Sequence, residues 1–109
     1  MGNMLSRPVL ITGGGRRIGL ALAHHFLTQQ QPVILSYRTH YPAIDVMRRA
    51  GAVCIQADFA HDEGINAFAE AVKSHCTSLR AIIHNASGWQ AESPSTPLSQ
   101  VLNAMLQIH

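Results

Sequence analysis

The segment TGGGRRIG, residues 12–19, constrains the fold of this chain more than any other feature. It follows a short apolar run, PVLIT at 8–12, which reads as a strand buried on both faces of a parallel sheet. After it, the spacing of apolar and aromatic side chains predicts a helix over 18–30, with one face formed by Ile18, Leu22, His25 and Phe26. A glycine-rich turn between a buried strand and a helix N terminus is a typical pyrophosphate site, with Gly13 allowing the tight turn and Gly19 the close approach.

The rest of the chain repeats this alternation of strand and helix. Further strands are predicted over 32–37, 52–58 and 79–87, and further helices over 43–50, closed by Gly51, and over 61–75. A last helix is predicted to start at Thr96-Pro97 and to carry Leu98, Val101, Leu102, Met105 and Leu106. Strands and helices in alternation predict the α/β class, here an incomplete Rossmann-type, doubly wound parallel sheet of four strands.

Composition narrows the functional classes. The formal net charge of +2, with no long basic run, argues against nucleic-acid binding. No apolar run is long enough for a membrane span, and the start of the chain does not resemble a signal peptide, so we expect a cytoplasmic protein. Cys54 and Cys76 lack CxxC spacing and no HExxH motif occurs, so free thiols are expected and a metal site is not.

The end of the second predicted strand indicates which dinucleotide the turn would bind. NAD-specific sheets of this kind usually have an acidic residue about 20 residues beyond the glycines. No Asp or Glu occurs between Gly19 and Asp45, and the strand ends instead in SYRTH, with Arg38, Thr39 and His40. A guanidinium binds a 2′-phosphate well, so these residues, with Arg16 and Arg17, favour NADP(H). The alternative is that Arg38 is an ordinary solvated loop residue.

These motifs resemble the short-chain dehydrogenase/reductase family, whose glycine motif is TGxxxGxG. Arg17 stands here where that family has its middle glycine, a departure that resembles the pteridine reductase branch. In that branch the arginine contacts both cofactor phosphate and pterin. The resemblance implies that residues 1–109 are the NADP-binding N-terminal part of a single family domain, with four of its seven strands.

Further motifs extend the resemblance over essentially the whole chain. QADFA, residues 56–60, is similar to the segment whose aspartate, here Asp58, holds the adenine amino group, and HNAS, residues 84–87, is similar to the family's NNAG motif. The implied NADPH-binding residues are Gly13, Arg16, Arg17, Ile18, Gly19, Tyr37, Arg38, Thr39, His40, Asp58, Phe59, Asn85, Ala86 and Ser87. Those implied for pterin are Arg17, Ser87 and Trp89, with Trp89 stacking the pterin against nicotinamide. Structural alternatives are that Asn85 caps a strand end and Trp89 covers a loop.

The family's proton-donating pair is missing from these residues. No YxxxK motif occurs, since Lys73 is the only lysine and position 69 is alanine, so no catalytic residue is assigned. One hypothesis is the N-terminal portion of an NADPH-dependent reductase of dihydromonapterin or dihydrofolate, homo-oligomeric at full length. The other is a catalytically inactive NADP(H)-binding module. We also expect the isolated 109 residues to be poorly soluble or partly molten, because the fourth strand would form an open apolar edge.

Overall fold

In the computed structural model of the protein, the described residues are 4–13, 17–84, 101, 102, 104, 107 and 108. Their elements, in chain order, are β1 (Val9–Thr12), α1 (Arg17–Thr28), β2 (Val33–Tyr37), α2 (Pro42–Arg49), β3 (Val53–Gln56), α3 (Asp62–Lys73), β4 (Ser78–Leu79), β5 (Ala81–His84) and β6 (Gln107–Ile108). The predicted Thr96-Pro97 helix start and the positions Leu98, Met105 and Leu106 lie outside the described residues.

The main sheet has four strands in the order β3-β2-β1-β5, and every neighbouring pair is parallel. The chain moves from β1 outward through β2 to β3 and then returns to the other side of β1 to form β5. The strand order therefore reverses between β1 and β5, which is where open α/β sheets bind their ligands. The predicted Rossmann-type parallel sheet is confirmed.

Apolar packing on both faces explains why these strands are central. Successive side chains of a strand point to opposite faces of the sheet. Leu10 and Ile34 pack on one face, with α3 and the buried Val101 and Leu102. The other face carries the odd-numbered residues of β1 and β2, which pack against α1 and α2: Val9, Ile11, Val33 and Leu35. The continuous apolar runs that predicted burial on both faces therefore pack as expected.

The predicted face of α1 is confirmed at Leu22 and Phe26, which pack against the core cluster on the sheet, but not at its other two positions. Ile18 is 66% exposed and His25 is also exposed, whereas Ala23 is fully buried. Gly19, four residues before Ala23, is buried too. Ala23 belongs to the core cluster on this side of the sheet, so its side of α1 faces the strands, whereas Ile18 and His25 lie on the solvent side. Apolar spacing predicted the helix but did not show which side of it is buried at each end.

The predicted strand over 79–87 is also revised at its start. Leu79 belongs to β4, a two-residue strand that pairs in parallel with β6. The backbone N–H of Arg80 donates to the carbonyl of Pro8 (2.9 Å), and β5 begins only at Ala81. Leu79 is nevertheless fully buried, which accounts for its apolar signal. The sequence pattern did not predict β6, whose two residues continue no alternation.

Two helices end in the same capping geometry. At the end of α2, Gly51 has φ +112°, and the N–H groups of Gly51 and Ala52 donate to the carbonyls of Arg48 and Met47, each at 3.0 Å. This paired arrangement is a Schellman motif, and it confirms the predicted closure by Gly51. After α1 the corresponding position is Gln30, with φ +62°, a conformation in which a side chain is unfavourable.

Candidate functional site

The candidate site lies at the carboxyl edge of the sheet, where the parallel strands end together. β1 ends at Thr12, β2 at Tyr37 and β3 at Gln56, and each is followed by a residue assigned to the cofactor: Gly13, Arg38 and, two positions on, Asp58. The register pairs Tyr37 with Gln56 and places Ile11 opposite Leu35. Three segments far apart in the sequence therefore meet along one edge, as a dinucleotide site requires.

The glycine turn is anchored to the neighbouring strand. Gly13 has φ +72°, which agrees with its predicted role in the tight turn. Its backbone N–H donates to the Ser36 hydroxyl at 3.0 Å, and Ser36 is only 2% exposed. Sequence reasoning did not single out Ser36. The available signal was a hydroxyl residue within the otherwise apolar strand VILSY, since a buried polar side chain needs a hydrogen-bond partner.

Residues 37–40, which we call the specificity segment, connect β2 to α2. The Tyr37 ring is buried, and its hydroxyl accepts a hydrogen bond from Nη2 of Arg48 at 2.9 Å. Arg38 and Thr39 are exposed. Within residues 4–13 and 17–84, no hydrogen bond or ion pair is seen for the side chain of either one. These two side chains are thus available at the position predicted for the 2′-phosphate.

The first acidic residue beyond the glycine turn lies beside this segment. The Asp45 carboxylate contacts Nε2 of His40 at 3.1 Å and lies 3.6 Å from Nη1 of Arg48. The His40 hydrogen bond is the main cause that holds the pKa of Asp45 below its usual range, and the charges of His40, Arg48 and Arg49 act in the same direction. Its negative charge is therefore partly offset by the neighbouring guanidinium groups of Arg48 and Arg49, an arrangement that the sequence analysis did not predict.

The turn after β3 is shaped by a glycine of α3. Oδ1 of Asp58 accepts a hydrogen bond from the backbone N–H of Ala60 at 2.9 Å. Gly64 lies so close to this turn that a Cβ there would overlap the carbonyl oxygen of Asp58. Phe59 packs edge-on against Phe68, with ring centroids 5.1 Å apart, and so anchors the turn to the core. Sequence reasoning missed Gly64, because its requirement arises only where α3 approaches the turn.

The other assigned positions are distributed as follows. Gly19 lies in the first turn of α1, and Ile18 beside it faces outward. Arg16, Asn85, Ala86, Ser87 and Trp89 lie outside the described residues, as does the side chain of Arg17. Their assignments stay predictions.

Two other features of the described part of the chain concern its chemistry. Cys54 is half-buried and Cys76 is buried, both as free thiols, and burial raises the pKa of each. Among the described residues, no group of three or more His, Cys, Asp or Glu side chains is arranged to hold a metal ion. In that same part of the chain, no helix has both the length and the apolar character needed to cross a membrane.

Comparison with known proteins defines the class to which this sheet and glycine turn belong. The family model for short chain dehydrogenases matches residues 7–108, so the chain belongs to that family. The chain is 71% identical, over all 109 residues, to dihydromonapterin reductase of Enterobacter sp. strain 638 and 70% identical to that of Klebsiella pneumoniae. It spans 45% of the length of each of these relatives.

A solved structure supports the same relationship. The alternative dihydrofolate reductase 1 of Brucella canis, complexed with NADP, is 27% identical and superimposes with a TM-score of 0.65. The match covers 78% of this chain and 36% of that one. The likeness to reductases of pterin compounds agrees with the resemblance that Arg17 indicated.

Proposed function

We propose that this chain forms the NADPH-binding part of a dihydropterin reductase that converts dihydromonapterin to tetrahydromonapterin, with dihydrofolate as a further substrate. The observation that carries the proposal is the 71% identity to a dihydromonapterin reductase over all 109 residues, which include the glycine turn and the specificity segment. A pterin is then the small-molecule partner. The proposal also includes a cytoplasmic location and a homo-oligomeric full-length protein.

The chemistry of the carboxyl edge fits NADPH. The turn at Gly13 and the N terminus of α1 form the kind of site that binds a pyrophosphate. Arg38 and Thr39 present a cation and a hydroxyl without competing partners among the described residues, which suits a 2′-phosphate. The nearby carboxylate of Asp45 contacts His40 and Arg48 through Oδ1, and it lies on α2 and not at the end of β2, where NAD-specific sheets carry their acidic residue.

The proposal gives the following assigned residues a role in binding cofactor or pterin. Asp58 would hold the adenine amino group, with Tyr37 and Phe59 supporting the adenosine side of the site. Bound NADPH would supply the hydride. Arg17 would contact both cofactor phosphate and pterin, and Ser87 and Trp89 would orient the pterin ring over the nicotinamide. No residue of this chain is assigned to proton donation, because the YxxxK motif is missing from its 109 residues.

A second candidate function is NADP(H) binding without catalysis. The two candidates differ in one assay on the full-length polypeptide encoded by the source gene. The reductase should oxidise NADPH when dihydromonapterin is added, as followed by NADPH absorbance. NADPH binding without turnover of dihydromonapterin or dihydrofolate would support the binding module instead.

The role of Arg38 tests the cofactor preference. Loss of a charge-assisted contact costs about 1.5–3 kcal/mol, so Arg38→Ala should weaken NADPH binding roughly 10- to 100-fold. NADH binding should change little, because NADH has no 2′-phosphate. Arg49→Ala removes an exposed cation from α2 and serves as the matched control. Equal losses for NADPH and NADH, measured by titration calorimetry, would refute the phosphate role of Arg38.

A further inference from the structure

Two side chains of the specificity segment and two of α2 contact one another in a ring. Nη2 of Arg48 donates to the Tyr37 hydroxyl at 2.9 Å, and the Tyr37 ring meets the His40 ring edge-on, with centroids 6.2 Å apart. Nε2 of His40 lies 3.1 Å from Oδ1 of Asp45, and the same oxygen lies 3.6 Å from Nη1 of Arg48. We call these four residues the α2 clasp, because two of them belong to α2.

The clasp holds the residues on either side of Arg38 and Thr39 but neither of the two themselves. Tyr37 comes directly before the pair and is buried, and His40 comes directly after it. A third restraint comes from β3, where Nε2 of Gln56 donates to the backbone carbonyl of Arg38 at 3.1 Å. The backbone of the pair is therefore fixed at three points while its side chains stay free.

Arg48 connects more of these elements than any other residue of the clasp. Its guanidinium lies over the Tyr37 ring, 5.5 Å from the centroid, and also donates to the carbonyl of Cys54 in β3 at 3.1 Å. It thereby joins α2, the end of β2 and the middle of β3 through one planar group. Such a group is well suited to fix a segment, since several donors are held in one rigid geometry.

We infer that Arg48 is a positioning residue for cofactor specificity, which acts through Tyr37 and the clasp to hold Arg38 and Thr39 where a 2′-phosphate binds. This inference rests on the proposed NADPH-dependent function. Preorganisation lowers the cost of ordering side chains when a ligand binds. A binding site held in this way discriminates for NADPH more strongly than a mobile one, whereas NADH, which lacks the phosphate, gains nothing from it.

The test compares dissociation constants for NADPH and NADH in the full-length polypeptide encoded by the source gene. Arg48→Met keeps an unbranched apolar stem over the Tyr37 ring but removes the donors. Arg48→Met should weaken NADPH binding roughly 3- to 10-fold, because one or two long side chains must then be ordered when the cofactor binds. NADH binding should stay nearly unchanged. Arg49→Met removes the same charge from the adjacent position and should change neither constant. Tyr37→Phe removes one of the same hydrogen bonds and should show part of the effect, even if Arg48→Met does not fold.

A double variant shows whether Arg48 acts through its neighbours. If Arg48 positions Arg38, then adding Arg48→Met to Arg38→Ala should change the ratio of the two dissociation constants little further. A full additional loss of NADPH binding would mean that Arg48 contacts the phosphate itself, which overturns the positioning role. So would equal losses for both cofactors in Arg48→Met, or no loss at all. A wild-type protein without preference for NADPH would overturn the proposed cofactor as well, so the two failures are distinguishable.

Discussion

Replacing Gly64 by alanine tests the close contact between α3 and the turn that carries Asp58. An added Cβ would overlap the carbonyl oxygen of Asp58 and lie 2.9 Å from its carbonyl carbon. Both colliding groups belong to backbone, so no side-chain rotation can relieve the overlap. Either the first turn of α3 or the turn after β3 must move.

The magnitude follows from two opposing effects. Overpacking of this kind costs about 1–3 kcal/mol, and the backbone location of the clash favours the upper part of that range. Alanine recovers at most about 1 kcal/mol over glycine through helix propensity. We therefore expect Gly64→Ala to lower the free energy of unfolding by about 2 kcal/mol, which is about 4–8 °C in melting temperature for a domain of 150–250 residues.

The measurement is urea unfolding of the full-length polypeptide, followed by far-ultraviolet circular dichroism. Ala67→Gly is the matched control, since Ala67 is exposed on the same helix and that change alters propensity alone. It should cost about 1 kcal/mol. If Gly64→Ala instead raised the stability by a similar amount, propensity would govern position 64 and the close approach to Asp58 would be refuted.

Two further predictions concern a helix end and a buried thiol. Gln30 has φ +62° in the Schellman motif after α1, so Gln30→Gly should raise the free energy of unfolding by up to about 1 kcal/mol. Gln29→Gly, the control, should not raise it. Equal effects of the two changes in urea unfolding would argue against this cap. Burial raises the pKa of Cys76 above its ordinary 9.0, so the folded state keeps the proton while the unfolded state loses it. Stability should therefore fall from about pH 8 to about pH 10, and less so in Cys76→Ala; an unchanged slope in that variant would contradict the assignment.

Local patterns in the sequence were sufficient to predict the architecture. The apolar runs correctly located all four strands of the main sheet, and Gly13, predicted to allow the tight turn, has a positive φ of +72°. The closure of α2 by Gly51 followed from its position after the last helical residue. These features depend on residues close in sequence, where side-chain periodicity and backbone preferences act directly.

Errors occurred where contact with a distant element overrides the local pattern. Ile18 fitted a helical apolar stripe, yet it is exposed, whereas the small residue Ala23 is the one that packs in the core cluster on the sheet. Leu79 fitted a continuous strand, but it pairs with β6 instead of extending β5. In both cases the residue type was informative about burial or spacing, whereas its partner depended on packing.

The same distinction between local sequence patterns and contacts with distant elements applies to the candidate site. Residue types and their order already specify the chemistry present: a glycine turn after a buried strand, cations in place of an acid near the end of β2, and Asp58 after β3. How these groups are held depends on the packing of helices and strands. Ser36 anchors the glycine turn from the next strand, and the α2 clasp holds the specificity segment. Those restraints join residues on different elements, and their partners are set by how helices and strands pack, which no local periodicity specifies.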